Sequence, residues 1–188
     1  MTCVVGLIDK NTIYMGADSA IVEVDACREV VSPEAKVYKK SCFLIGDSGN
    51  LNIGQIIRYN LKLPRYTKNM NIYEYMTAKF NKALRDVLRE FGQLYCEQET
   101  NLESMEGTFL IGVKTSDGPK LFELDENFAI LEICADYAAV GCGADFSFGA
   151  MAAMEKTKLK PEEKILIALE ASERFSAFVR RPFVIESI

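Results

Sequence analysis

Histidine is missing from all 188 positions of the sequence. Without imidazole there is no Ser-His-Asp triad, no Cys-His pair and no histidine-bound metal. Basic residues are in deficit: 22 lysines and arginines face 27 aspartates and glutamates, for a net charge of −5. No basic stripe is available to neutralise phosphates, which argues against a nucleic-acid partner. Long apolar runs are also lacking. Cys3 to Ile8 is apolar, but Asp9 and Lys10 close it, so it is too short for a signal peptide or a membrane span. No C-x-x-C occurs. Cys3, Cys27, Cys42, Cys96, Cys134 and Cys142 stand singly, as free thiols do in a reducing cytoplasm, and they spell no zinc site. No cofactor motif is present.

What remains is the composition of an ordinary globular protein, 49% hydrophobic and 26% charged. A chain of this length fits one domain, 1–188, able to bury roughly 70% of its unfolded surface. Thr2 follows Met1 directly. A hydroxyl nucleophile in a histidine-free chain needs another base near neutrality, and an α-amino group, with a pKa of roughly 7.7–8.0, is one. Removal of Met1 would put hydroxyl and amine on the same residue.

The pattern along the chain predicts strands at Thr2 to Ile8 and Thr12 to Asp18, joined by Asp9-Lys10-Asn11. Residues 19–33 read as a loop or irregular edge. Lys36 to Tyr38 and Cys42 to Gly46 read as a second pair across Lys39-Lys40, followed by turn chemistry at Asp47-Ser48-Gly49-Asn50. A helix capped by Asn50 or Asn52 and stopped by Pro64 comes next. A longer one follows, capped by Asn71 with Glu74 in capping-box position. The acidic run from Glu97 to Glu106 reads as a solvated loop.

Strands are predicted at Thr108 to Lys114, Lys120 to Leu124, Phe128 to Cys134 and Tyr137 to Val140, the last leading into Gly141-Cys142-Gly143. Two helices follow. One runs through Phe146, Phe148, Ala150 and Met154; the other, opened by Pro161, turns Ile165, Leu169, Ser172, Phe175 and Val179 inward. Phe183 to Glu186 is a closing strand. Hairpins and one-faced helices in this order are buried together by an α+β, four-layer αββα sandwich of two antiparallel sheets.

Met-Thr-Cys-Val-Val-Gly at the start, Gly16-Ala17-Asp18-Ser19, Lys36, Ile45-Gly46-Asp47-Ser48-Gly49 and Val140-Gly141-Cys142-Gly143 together resemble proteasome-type subunits. These are N-terminal-nucleophile hydrolases, and the likeness is nearest to short proteasome-like subunits of bacteria and phages. It runs along nearly the whole chain.

The resemblance implies Thr2 as nucleophile, Asp18 as the acid that orients a lysine, and Lys36 as that lysine, with Lys39 and Lys40 as lesser candidates. A cation there lowers the cost of an alkoxide and keeps the amine neutral. Gly46 matches the glycine whose N–H forms the oxyanion hole. Cys142 stands where the family usually has serine and is a poorer hydrogen-bond partner. Glu173 and Ser176 keep the spacing of an aspartate and a serine or threonine in the last helix. Residues near Ala20, Ser48 and Ile53 are expected in the pocket wall.

The resemblance further implies a threonine peptidase in a homo-oligomeric ring, acting on peptides or unfolded protein, with an ATPase unfoldase as a candidate partner and neither nucleic acid nor membrane involved. The alternative is a non-catalytic ring subunit of the same fold that keeps Met1. An amidase acting on a small molecule is a third, minor option.

Overall fold

The computed structural model describes residues 2–23, 28–96 and 102–188. Strands β1 (Cys3–Asp9) and β2 (Thr12–Ala17) form the expected hairpin, with Lys10 taking the left-handed conformation in the turn (φ 54°). They are flanked by β12 (Tyr137–Gly141) and β13 (Val184–Ser187) in a four-stranded sheet of order β12-β1-β2-β13. The second sheet has order β11-β10-β9-β6-β5, built from β5 (Val37–Lys40), β6 (Phe43–Gly49), β9 (Gly107–Thr115), β10 (Gly118–Leu124) and β11 (Ile130–Ile133). Every pairing is antiparallel.

Strand alternation sorts the core into layers. Val4, Ile13 and Met15 from one sheet meet Leu44, Leu110 and Leu121 from the other. Cys3, Val5 and Leu7 face the opposite way, onto α4 (Ala144–Met154) and α5 (Pro161–Phe175). On the far side of the second sheet, Phe43, Ile45, Phe109 and Phe122 pack under α1 (Leu51–Tyr59) and the helical run that begins at Ile72. The αββα sandwich is the observed architecture. Among the described residues no helix is long and apolar enough to cross a membrane.

The helical run starts as α2 (Ile72–Glu74), widens into a π-helical segment (Tyr75–Phe80) and continues as α3 (Asn81–Glu90). Asn71 caps it as expected, accepting the Glu74 N–H at 3.0 Å. Asn50 caps α1, which ends at Tyr59, short of Pro64.

Several expectations need correction. Residues 19–33 include the hairpin β3 (Ala20–Glu23) and β4 (Arg28–Val31), whose β-branched residues are paired from Ala20↔Val31 to Glu23↔Arg28. Lys39 and Lys40 belong to β5; the turn falls at Ser41, in the left-handed region (φ 57°). Asp47, Ser48 and Gly49 do not turn but extend β6 against Phe109, Thr108 and Gly107 of β9. Phe175 faces outward, 65% exposed, and Val179, though buried, lies beyond the end of α5. In the acidic run, residues 97–101 lie outside the described residues, while Glu103, in the two-residue strand β8 (Glu103–Ser104), is held by Arg85 and Arg89.

Candidate active site

The β1–β2 hairpin returns Asp18 to the start of β1. There the Cys3 N–H donates to Asp18 Oδ1 and the Ala20 N–H to Oδ2, both at 3.0 Å. Lys36, immediately before β5, reaches across from the other sheet. Its Nζ lies 3.1 Å from each Asp18 oxygen and donates to Ala20 O at 2.6 Å. The Asp18 side chain is fully buried and that of Lys36 is 11% exposed. A buried carboxylate is costly unless its charge and lone pairs are answered, and here two amides and an ammonium answer them. The lesser candidates go elsewhere: Lys39 pairs with Glu186 at 3.2 Å, and Lys40 donates to Arg58 O at 2.6 Å.

Thr2 sits beside this pair, 2% exposed in the chain that carries Met1. Its carbonyl accepts from the Gly143 N–H and from the Cys142 thiol, each at 3.4 Å. Gly141, at φ +95°, is required: a Cβ there would overlap Thr2 O and stand 2.6 Å from Ser48 Oγ. Ser176 Oγ is 3.8 Å from Cys142 Sγ, so the structure brings Thr2, Asp18, Lys36, Cys142 and Ser176 into one neighbourhood.

Two expected residues do not join it as foreseen. Glu173 binds Arg181, whose backbone N–H and Nε donate to its two oxygens at 2.9 Å each. Those bonds hold its carboxyl below the usual carboxylate range. The helical i,i+3 geometry is lost because α5 ends at Phe175, leaving Ser176 extended (φ −110°, ψ 127°).

Gly46 is the second correction. Its α-carbon faces the inter-sheet core, where a Cβ would overlap Val4 and lie 2.9 Å from Met15 Sδ. The Asp47 N–H points toward β5, bonding Lys36 O at 3.0 Å. Strand alternation therefore turns the Gly46 N–H toward β9, into the ladder at Leu110. The same alternation aims the Gly49 N–H to the β5 side. β5 ends at Val37, opposite Gly46, so the Gly49 amide points past the end of that ladder. Its φ of +140° also belongs to glycine. Gly49, rather than Gly46, has its amide on the β5 side and outside the β9 ladder, and only the register of β6 distinguishes the two.

A small cavity of about 20 Å³ opens beside Lys36, lined by Glu34, Asp47, Leu51, Gly54, Gln55 and Arg58. Burial pushes the Asp47 carboxyl up to about 7, with Arg58 and Lys36 pulling it back. Gly54 leaves the room for it: a Cβ there would stand 2.7 Å from Asp47 Oδ2. Of the expected wall residues, Ile53 turns from α1 into the core, Ala20 accepts from Lys36, and Ser48 is buried beside Gly141.

This four-layer architecture is the fold of the proteasome-type N-terminal-nucleophile hydrolases. BPH of Thiobacillus denitrificans, in complex with epoxomicin, superposes with a TM-score of 0.78 at 17% identity, covering 100% of this chain and 98% of that one. Eukaryotic HslV from Trypanosoma brucei gives 0.69 at 15% identity over 99% of this chain and 98% of its own. Anbu, the ancestral beta-subunit from Yersinia bercovieri, gives 0.71 at 16% identity over 100% and 81%. No family model matches the sequence, and no curated protein does.

Proposed function

We propose that this chain is a single-domain, cytoplasmic threonine peptidase that hydrolyses peptide bonds through Thr2 after Met1 is removed. The observation that carries the reading is the Asp18 carboxylate. It bonds the Lys36 ammonium at 3.1 Å and the Cys3 N–H at 3.0 Å, which anchors a cation against the residue that bears the nucleophile. In this reading the Thr2 hydroxyl attacks the scissile carbonyl carbon while its proton passes to the Thr2 α-amine. Lys36 stabilises the alkoxide, and the tetrahedral oxygen accepts the Gly49 N–H, a donor worth about 3 kcal/mol in the transition state. The amine then protonates the leaving nitrogen. An ester on Thr2 remains, and a water deprotonated by the same amine hydrolyses it.

Ring assembly is supported by the outer helical layer. Phe146 and Phe175 are 40% and 65% exposed, with ring centroids 5.6 Å apart. Apolar side chains paired on an open face favour burial against another copy. A ring of this kind is the setting in which an ATPase unfoldase would feed substrate.

A second reading rests on the 2% exposure of Thr2 in the unprocessed chain: in a subunit that keeps Met1, Thr2 has neither a free amine nor an accessible hydroxyl, and the subunit serves only to build the ring. Intact mass of protein from its native cell, with hydrolysis of fluorogenic peptides by wild type and Thr2→Ala, separates the two. Loss of Met1 and Thr2-dependent hydrolysis are expected; retained Met1 without hydrolysis would establish the scaffold reading.

A further inference from the structure

Behind Thr2, three fully buried side chains from three different elements touch one another. Cys3 Sγ of β1 lies 3.1 Å from Ser147 Oγ of α4 and 3.5 Å from Ser172 Oγ of α5. The two hydroxyls are 2.8 Å apart, and Ser172 Oγ donates to Gly143 O at 2.7 Å. All three residues have 0% exposure, so water cannot complete their bonding.

Each side chain has one proton to give. Ser147 also lies 3.0 Å from Ala168 O, so two directions are open. If Ser147 donates to Ala168, Ser172 must donate to Ser147, and Gly143 O loses its hydroxyl donor. If Ser147 donates to Ser172, the bonds run head to tail from the Cys3 thiol through Ser147 and Ser172 to Gly143 O. The shorter 2.7 Å contact at Gly143 favours the second direction, in which each bond polarises the next. Burial raises the Cys3 pKa, so the thiol keeps the proton that starts the chain.

The chain ends on the turn that hydrogen-bonds Thr2. The Gly143 N–H donates to Thr2 O at 3.4 Å, while the Cys3 N–H at the other end of that same peptide donates to Asp18 at 3.0 Å. The Thr2–Cys3 peptide is thus clamped at both ends. One clamp carries the charge of Lys36; the other is backed by hydroxyls. Gly143 is wedged as well, since a Cβ there would lie 2.8 Å from Cys3 Cβ and 2.9 Å from Ser172 Cβ.

We propose that Cys3, Ser147 and Ser172 form a directed hydrogen-bond chain that positions Thr2 through Gly143, whose carbonyl the chain fixes and whose N–H, on the adjoining peptide, bonds Thr2 O. They are positioning residues, and their catalytic consequence rests on the peptidase reading. Two readouts test them, one independent of activity. Amide exchange followed by NMR should show the Gly143 N–H of Ser172→Ala and Cys3→Ala exchanging at least about tenfold faster than in wild type, with the β10 amides unchanged. In peptide hydrolysis the same variants should lose roughly tenfold in kcat while KM stays within about twofold, and Cys3→Ser should recover most of what Cys3→Ala loses. Gly143 exchange at the wild-type rate in both alanine variants would overturn the proposal, and so would Cys3→Ser behaving like Cys3→Ala. If Ser172→Ala does not fold, the two Cys3 variants read the same chain from its other end. A wild-type protein without hydrolysis would overturn the peptidase reading and leave the exchange arm to decide this one.

Discussion

Lys36 and Asp18 meet across the two sheets in a symmetric contact, Nζ standing 3.1 Å from each carboxylate oxygen. Lys36→Ala leaves Asp18 buried with two amide donors and no counter-charge, and it removes the cation from beside Thr2. Peptide hydrolysis should fall at least about 100-fold in kcat/KM, roughly 3 kcal/mol, with the circular dichroism of the fold retained. Lys39→Ala, which removes only the Glu186 pair on the surface, should stay within about threefold of wild type. Equal losses in both variants would refute the assignment of the lysine.

The amine reading makes its own demand on pH. In the free enzyme the acid limb of kcat/KM should report an amine, moved below roughly 7.7–8.0 by the neighbouring Lys36 charge. Thr2→Ser should keep measurable turnover and Thr2→Ala none. Turnover that persists in Thr2→Ala and disappears in Cys142→Ala would make this a thiol enzyme.

Gly141 and Gly118 both have positive φ, +95° and +115°, but only Gly141 lacks room for a side chain. Gly118→Ala should cost conformational strain alone, about 1 kcal/mol, and Gly141→Ala that strain plus the overlap with Thr2 O, roughly 2–3 kcal/mol in all. Denaturant midpoints of the two variants measure the difference. Equal midpoints would show that the turn yields to the new side chain.

Asp47 sets a pH dependence of stability. The folded state holds its proton up to about pH 7, whereas the unfolded chain releases it near 3.8. Between those values the folded state binds more protons, so this group's contribution is full below about 4, declines as pH rises and is gone above about 7. Asp47→Asn should flatten that part of the stability–pH curve, read as unfolding midpoints in urea from pH 4 to 8. An unchanged slope would mean that Asp47 ionises freely in the fold.

Residues whose chemistry acts through the local chain were legible in the sequence. The hairpin that returns Asp18 to Cys3 and the Asn71 cap follow from short-range pattern. What escaped depends on which way a given group points in the assembled sheets. Gly46 and Gly49 are both glycines near a turn-like sequence, and only the register of β6 against β5 and β9 tells which amide lies outside the β9 ladder. Glu173 and Ser176 keep a helical spacing, but the helix stops between them. The π-helical segment at Tyr75–Phe80 gives no periodicity signal of its own. Ser147 and Ser172 look like small helix residues until α4 and α5 are packed against β1.

Cys142 changes what reagents this protein answers to. Cys3 is buried, while Cys42, Cys96, Cys134 and Cys142 are exposed, and of these the Cys142 thiol lies within 3.4 Å of the Thr2 carbonyl. A bulky maleimide that alkylates it would plant its adduct on the rim of the nucleophile. The protein would then be silenced by thiol chemistry that a serine at the same place would ignore. On the peptidase reading, a site built around a hydroxyl would thereby acquire the oxidant and electrophile sensitivity of a cysteine protein.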